Sequence, residues 1–249
     1  MTAPQTLVVT ANPDSGSFTH QWARASANAC RDALESHLVQ DGFDPVERAG
    51  HYGQEGPFDA LKAQEAAAQS GKLPGDVVRE LGKIQKADRL ILHFPVWWFG
   101  PPAILKGWMD RCLVNGVLHK GSQRFDKGLA RGKSVLICAT TGADAIETAP
   151  DGREGDIRLV LWPFMYALRY CGFDVLDPVF VHGVHGYHKG SARTEMEARM
   201  SKALSDQPSL LAGWDDRPRV RFNADTDFDE DGRLKADAPE VTPFITHQA

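Results

Sequence analysis

Three consecutive aromatic residues, Trp97, Trp98 and Phe99, stand between Pro95 and the triplet Gly100-Pro101-Pro102. Three neighbours in an irregular loop cannot all enter one core, so part of this aromatic surface is expected to face a ligand; a core helix with an aromatic cap is the plainer alternative. The loop follows Arg89-Leu90-Ile91-Leu92, a run of the kind that forms a strand buried on both faces of a sheet. Pro95 ends that strand because it lacks an amide hydrogen for the ladder and biases Phe94 towards extended geometry. Open α/β sheets hold flat ligands at such a place, on the carboxyl ends of their strands. A second pattern is Asn12-Pro13-Asp14-Ser15-Gly16-Ser17-Phe18-Thr19, a polar turn feeding a helix. Backbone amides at a helix start, with the positive end of the helix, can hold a phosphate without a lysine or arginine. The same hydroxyls make an ordinary helix cap; their place after the first strand favours the anion site, with Asp14 turned outward.

Other patterns carry less. His182, His185 and His188 have H-x-x-H-x-x-H spacing, but neither a cysteine nor a convincing carboxylate completes a metal set. A polar loop at the rim of the site is expected, with no metal. Asp227, Asp229, Asp231 and Gly232 mimic the first half of a calcium loop, yet the twelfth position is Ala238, so a solvated acidic turn is expected. Cys30, Cys112, Cys138 and Cys171 lack metal spacing and read as reduced thiols.

The elements that must position these residues follow from apolar runs and breakers. Strands are expected at Thr6–Ala11, weakly at Phe43–Arg48, and at Arg89–Phe94, Ser134–Ala139 and Phe173–Val181. Helices are expected at about Thr19–Val39, Asp76–Lys86, Pro101–Leu113, Asp156–Tyr170 and Ala192–Leu204, with one further helical stretch inside 50–75. Gly172 should cap the helix that precedes the last strand. Alternating strands and helices imply a doubly wound parallel sheet of the α/β class. Five strands, and no G-x-G-x-x-G after the first, favour the flavodoxin-like order over the six-stranded dinucleotide fold. Residues 1–212 would form that domain and 213–249 a C-terminal extension.

With 249 residues, 42% hydrophobic and 24% charged, the chain has the composition of a globular protein. Its net charge of -5, with no run of Lys or Arg, argues against a nucleic-acid partner. Residues 1–10 lack a signal peptide's basic and apolar regions, and no stretch is long enough to insert in a membrane. A cytoplasmic location is expected.

The stretch Phe94-Pro95-Val96-Trp97-Trp98-Phe99-Gly100-Pro101-Pro102-Ala103-Ile104-Leu105-Lys106-Gly107-Trp108 resembles the signature of the NAD(P)H:quinone oxidoreductase family, and the likeness extends from residue 6 to about Leu204. The family consists of FAD-containing homodimers with a flavodoxin fold, so the resemblance implies FAD, with FMN the lesser candidate, and NAD(P)H as donor of hydride to flavin N5. A quinone would then take two electrons in ping-pong turnover. By the same resemblance the Pro95–Phe99 loop packs on the flavin ring, with Trp98 and Phe99 also lining the substrate space. Asn12, Ser17, Phe18 and Thr19 bind the FAD diphosphate, although family members usually carry His where Asn12 stands. Thr140, Thr141, Gly142 and Ala143 match the turn that offers backbone donors near N1 and O2, where charge accumulates on reduction. Arg193 matches a residue at the adenosine end.

Two departures concern catalysis. The mammalian-type enzymes place a Tyr and a His beside the flavin in the loop after that turn, and gapless pairing puts Thr148 and Glu154 there. Threonine cannot usefully ionise and Glu154 reverses the sign, so either Glu154 acts as an acid while it holds a proton, or catalysis does without a residue here. The tyrosines of the family's quinone pocket are absent, and 114–124 offers His119 instead. The block from Leu161 to Leu176 resembles the family's dimer-forming helix and last strand; the apolar residues of Asp156–Tyr170 cover too wide an arc for one core face. An FMN-dependent azo- or nitroreductase on this fold, and a flavin-binding regulatory subunit of a potassium-efflux transporter, are the alternatives.

Overall fold

The computed structural model of the chain describes residues 3–248. Its frame is set by three strands that the sequence makes apolar on both faces: β1 (Thr6–Thr10), β3 (Arg89–Pro95) and β4 (Ser134–Thr140). They pair in parallel, with Thr10 opposite His93 and Pro95 opposite Thr140. Their carboxyl ends therefore finish along one edge, and the loops that follow all three open on that edge. The short β2 (Leu34–His37) lies outside β1, while β5 (Asp174–Val175) and β6 (Val179–Val181) both pair with β4, giving the order β2-β1-β3-β4-β5. Chain direction across the sheet reverses between β1 and β3, which is where doubly wound sheets open their ligand crevice.

Helices cover both faces. On one side α3 (Gly75–Lys86), α4 (Ala103–Cys112) and α6 (Trp162–Tyr170) bury Ile84, Leu105, Trp108 and Leu168 against Leu7, Leu90 and Ile137. On the other, α1 (Phe18–Ala29) and α7 (Gly190–Ala212) bury Trp22 and Leu211 against Val8, Ile91 and Leu136. The elements α2 (Ala60–Ser70) and α5 (Ile157–Val160) complete the set. No described helix is long and apolar enough to cross a membrane.

Several expected boundaries are corrected. The first helix stops at Ala29 rather than running to Val39; Cys30 turns extended, Asp32 adopts a positive φ of 49°, and Leu34–His37 becomes β2. The 30–39 segment has no strong helix breaker, so pairing beside β1 overrides its helical propensity. The expected strand at Phe43–Arg48 is instead an irregular loop pressed on α4: a Cβ on Gly107 would lie 2.1 Å from the Pro45 carbonyl oxygen. The last strand is divided at Leu176-Asp177-Pro178, where Leu176 pairs with Arg219 of the C-terminal segment. The expected Asp156–Tyr170 helix is broken at Leu161, because Pro163 has no amide to continue the ladder. The last helix runs to Ala212, well beyond Leu204, and accommodates Pro208. The apolar arc of α6 is also partly covered within the chain: Trp162 stacks on Tyr166 and on Phe244, and Phe222 packs beside both.

A buried polar chain joins the second face to the sheet. Trp22 Nε1 donates to Gln207 Oε1 (2.7 Å), and Gln207 Nε2 donates to Ser26 Oγ (2.7 Å). Ser26 Oγ lies 2.9 Å from His93 Nε2, while His93 Nδ1 is buried without a hydrogen-bond partner. Burial pushes the His93 pKa down to about 3. The unfolded chain takes up this proton below about pH 6.5, while the folded protein does not until about pH 3. Stability should therefore fall as pH drops through that interval, by a few kcal/mol at most from this residue. Denaturant unfolding at about pH 7 and about pH 4 checks it: His93→Gln should show a smaller loss between the two than the wild type.

Candidate functional site

The aromatic platform is a strained hairpin. The Val96 amide donates to the Thr140 carbonyl (2.8 Å), fixing the chain as it leaves β3. Trp97 and Gly100 then exchange both backbone hydrogen bonds, at 2.9 and 3.1 Å, which closes a two-residue turn over Trp98 and Phe99. Both central residues have positive φ, 49° and 59°. That geometry is normally given to Asn-Gly, and a bulky side chain there costs about 1–2 kcal/mol per residue. Yet Trp98 is 96% exposed, Phe99 57% and Trp97 47%, so burial of these rings does not offset the cost. Strain kept without a folding gain is a mark of function.

The facing wall is the turn after β4. Trp98, Phe99 and Val96 line a cavity of about 280 Å³ together with Thr141, Gly142, Ala143, Thr148, Glu154 and Ile157. Sequence reasoning named eight of these nine residues; Ile157 is the addition. Gly142 has nothing within 4 Å of where a Cβ would stand, and the Gly142 and Ala143 amides donate to no other group among the described residues. A flat heteroaromatic ring with acceptor atoms on one edge fits this cradle: an aromatic wall on one side, unpaired backbone donors on the other. Pro95, Trp97 and Thr140 do not line the cavity; they carry the backbone that shapes it.

Loop 144–156 brings in Thr148 and Glu154. Asp144 Oδ1 accepts from the Ile146 and Glu147 amides, and Glu147 pairs with Arg153 at 2.6 Å. Gly152 must be glycine, since a Cβ there would stand 2.2 Å from the Glu147 carbonyl oxygen. The Glu154 amide donates to that same carbonyl (2.9 Å), which directs residue 154 back to the cavity. Glu154 is the one ionisable residue among those lining it.

The Asn12–Thr19 loop stands at the same edge, after β1. Ser17 caps α1, its Oγ accepting from the His20 amide at 3.3 Å. Asn12 Nδ2 donates to Thr19 Oγ1 (3.4 Å), and its Oδ1 accepts from the Asp14 amide (2.9 Å). Asp14 is exposed, but its Oδ1 also accepts from the Gly16 amide (2.8 Å). The Phe18 and Thr19 amides remain without a partner among the described residues and can take an anion. His20, which sequence reasoning passed over, is buried here with Nε2 on the Asn12 carbonyl (3.1 Å), and burial lowers its pKa.

Two expected site residues stand apart. Arg193 lies on α7, ion-paired with Glu197 at 2.8 Å, and lines neither the 280 Å³ cavity nor a second cavity of about 700 Å³ between β6 and α7. His119 lines a separate groove of about 650 Å³ with Tyr166 and Tyr170; its Nε2 donates to the Leu113 carbonyl (3.1 Å). Of the three spaced histidines, His185 and His188 stack on each other with ring centres 3.8 Å apart, while His182 reaches Thr141 and Thr148. Among the described residues no group of three or more His, Cys, Asp or Glu is arranged to hold a metal.

Comparison with known proteins agrees with this architecture. Residues 4–204 match the family model described as flavodoxin-like fold. The NAD(P)H dehydrogenase [quinone] 1 of Rattus norvegicus is 34% identical over 215 residues, covering 82% of this chain and 77% of that protein. A Klebsiella pneumoniae protein, provisionally named a quinone reductase, superposes with a TM-score of 0.80 at 23% identity over 94% of each chain. General stress protein 14 of Treponema denticola, solved in complex with FMN, gives a TM-score of 0.56 at 25% identity, over 83% of this chain and 99% of that one.

If the hairpin aromatics serve a ligand rather than the fold, residues suited to positive φ should improve the fold. The double variant Trp98→Asn with Phe99→Gly is expected to gain about 1 kcal/mol or more of stability. Denaturant unfolding measures it; a loss of several kcal/mol would show that the exposed rings support the core after all.

Proposed function

The chain belongs to the NAD(P)H:quinone oxidoreductase family of flavodoxin-fold proteins, and on that premise we propose that it is an FAD-dependent NAD(P)H:quinone reductase acting as a cytoplasmic homodimer. The observation that carries this reading is the cavity in which a strained, exposed Trp98-Phe99 turn faces the unpaired Gly142 and Ala143 amides. A bound flavin would supply the redox chemistry, taking two electrons from a dihydronicotinamide and passing them to a quinone that occupies the same place in turn.

The chain's residues hold and shape that exchange. Trp98 and Phe99 cover the ring and exclude water on their side. The Gly142 and Ala143 amides meet the N1–O2 edge and favour negative charge there without a formal cation. The Phe18 and Thr19 amides, with the Ser17 cap and Asn12 behind them, receive the diphosphate. Arg193 would have to leave Glu197 to reach an adenosine. Thr148 lines the cavity with its hydroxyl already committed to the Asp144 carbonyl, and Glu154 can serve as an acid only while it holds a proton, since an ionised carboxylate would oppose charge accumulating at the ring. His119, on another groove of the same chain, serves a quinone only across a dimer interface; the exposed part of that groove, with Tyr166 and Tyr170, is the surface for the partner.

The purified protein should be yellow and release FAD, and it should oxidise NAD(P)H in the presence of quinones. Release of FMN alone would move it to an FMN-dependent azo- or nitroreductase; no flavin after reconstitution would remove the enzymatic reading. Trp98→Ala should bind flavin at least about tenfold more weakly with stability within about 0.5 kcal/mol of wild type. Glu154→Gln and Glu154→Ala should both slow turnover on the order of 10²; wild-type rates in both would make Glu154 a solvated loop residue. Sedimentation should give a dimer, and a fully active monomer at assay concentration would contradict the composite site.

A further inference from the structure

His182 stands between two cavities. On one side are Thr141 and Thr148, which line the 280 Å³ cavity. On the other is a larger cavity of about 700 Å³ between β6, α7 and the loop 142–147, which His182 itself lines. Gly142 belongs to both.

The hydrogen bonds fix the ring's state. Thr141 Oγ1 donates to the Ala143 carbonyl (2.8 Å), and Thr148 Oγ1 donates to the Asp144 carbonyl (2.8 Å). Each hydroxyl has one proton and has spent it. Both oxygens lie 3.0 Å from His182 Nδ1, so Nδ1 carries the proton and is shared between them. Nε2 is left with a lone pair, on a ring that borders the larger cavity and is only half-buried.

We propose that His182 is a positioning residue with a switchable charge: its Nδ1–H holds the Thr141 and Thr148 hydroxyls in place, and Nε2 takes a proton from water in the larger cavity when negative charge accumulates in the smaller one. This rests on the flavin reading of that cavity. It supplies a cation that the cavity's own lining lacks, since the one ionisable residue there is Glu154. The step is a simple uptake, in which water-borne H⁺ converts the neutral imidazole to imidazolium and no other bond changes. Behind the two threonines, one positive charge favours a negative one by a factor of about ten or more at an effective dielectric near 20.

The groups facing His182 set its range. Around the larger cavity that it lines, Asp144 and Glu147 come from the loop, Glu195, Arg199, Lys202 and Asp206 from α7, and His185 and His188 from its own loop, while Glu154 lies on the side of the smaller cavity. Burial lowers the His182 pKa from 6.5, with Asp144 opposing and Arg199 adding to the effect. Negative charge in the smaller cavity must raise it. Reduction of the ligand should therefore be favoured more strongly as pH falls through the raised pKa, and the gain should level off below the lowered one.

The test compares wild type with His182→Asn, which keeps a donor for the threonines but cannot become charged. The readouts are the absorption spectrum of the bound oxidised flavin and its reduction potential across about pH 5–8. Expected are matching oxidised spectra, and a preference for reduced over oxidised flavin that is tenfold or more greater in wild type at the acid end and equal in both at the alkaline end. NMR of the wild-type imidazole gives a second measure that needs no variant: an Nδ1–H tautomer in the unliganded protein, and a pKa that rises when the bound flavin is reduced. Wild type that loads flavin with the same pH profile as His182→Asn, an Nε2–H tautomer, or an unchanged pKa on reduction overturns the role of His182 alone. Wild type that takes no flavin overturns both this and the reading beneath it.

Discussion

The bond from the Val96 amide to the Thr140 carbonyl fastens the end of β3 to the end of β4, and the site is assembled around it. Pro95 can give no ladder bond, so this is the last one before the chain turns. It holds Trp97 where it pairs with Gly100, and that pair in turn forces Trp98 and Phe99 into their left-handed turn. On the β4 side the chain leaves the sheet at Thr141, whose amide is taken by the Val181 carbonyl at 3.1 Å. β6 is thereby drawn alongside, which delivers His182 to the two threonines. One short stretch of parallel ladder thus sets the spacing between an aromatic wall and a row of backbone donors.

The sheet supporting that ladder was legible because its central strands are apolar on both faces, a pattern that few other structures tolerate. The hairpin was legible for a related reason: three aromatics bracketed by prolines and a glycine leave no irregular-loop solution that buries them all. The edges of the sheet were not. β2 has only Leu34 and Ser36 turned to the frame and could as well have continued α1; the contact with β1 decides it. The split between β5 and β6 depends on Arg219, more than forty residues further along the chain, which no local pattern reveals.

The site was read more fully than the edges, yet its polar logic was incomplete. Thr148 and Glu154 were located by pairing with a family loop, and Gly152 is the physical reason the loop returns to the cavity. His182 was visible only as one of three spaced histidines, a pattern that suggests a metal or a rim. Its contacts come from a bond geometry that depends on where β6 ends. Arg193 and His119 were placed by position in the chain alone, and within one chain the fold gives Arg193 an ion pair and His119 a groove separate from the cavity. The second face of the sheet links its polar groups in a chain from Trp22 through Gln207 and Ser26 to His93, and Trp22 and Gln207 also border the larger cavity beside the 142–147 loop.

The most direct measurement is a crystal structure of the protein saturated with FAD. The ring should lie in the cavity between the Trp98-Phe99 turn and Gly142-Ala143, its N1–O2 edge on the two amides and its diphosphate at the start of α1. A ring bound elsewhere, with the hairpin aromatics and the Gly142 and Ala143 amides still free, would contradict the assignment of this edge of the sheet as the redox site.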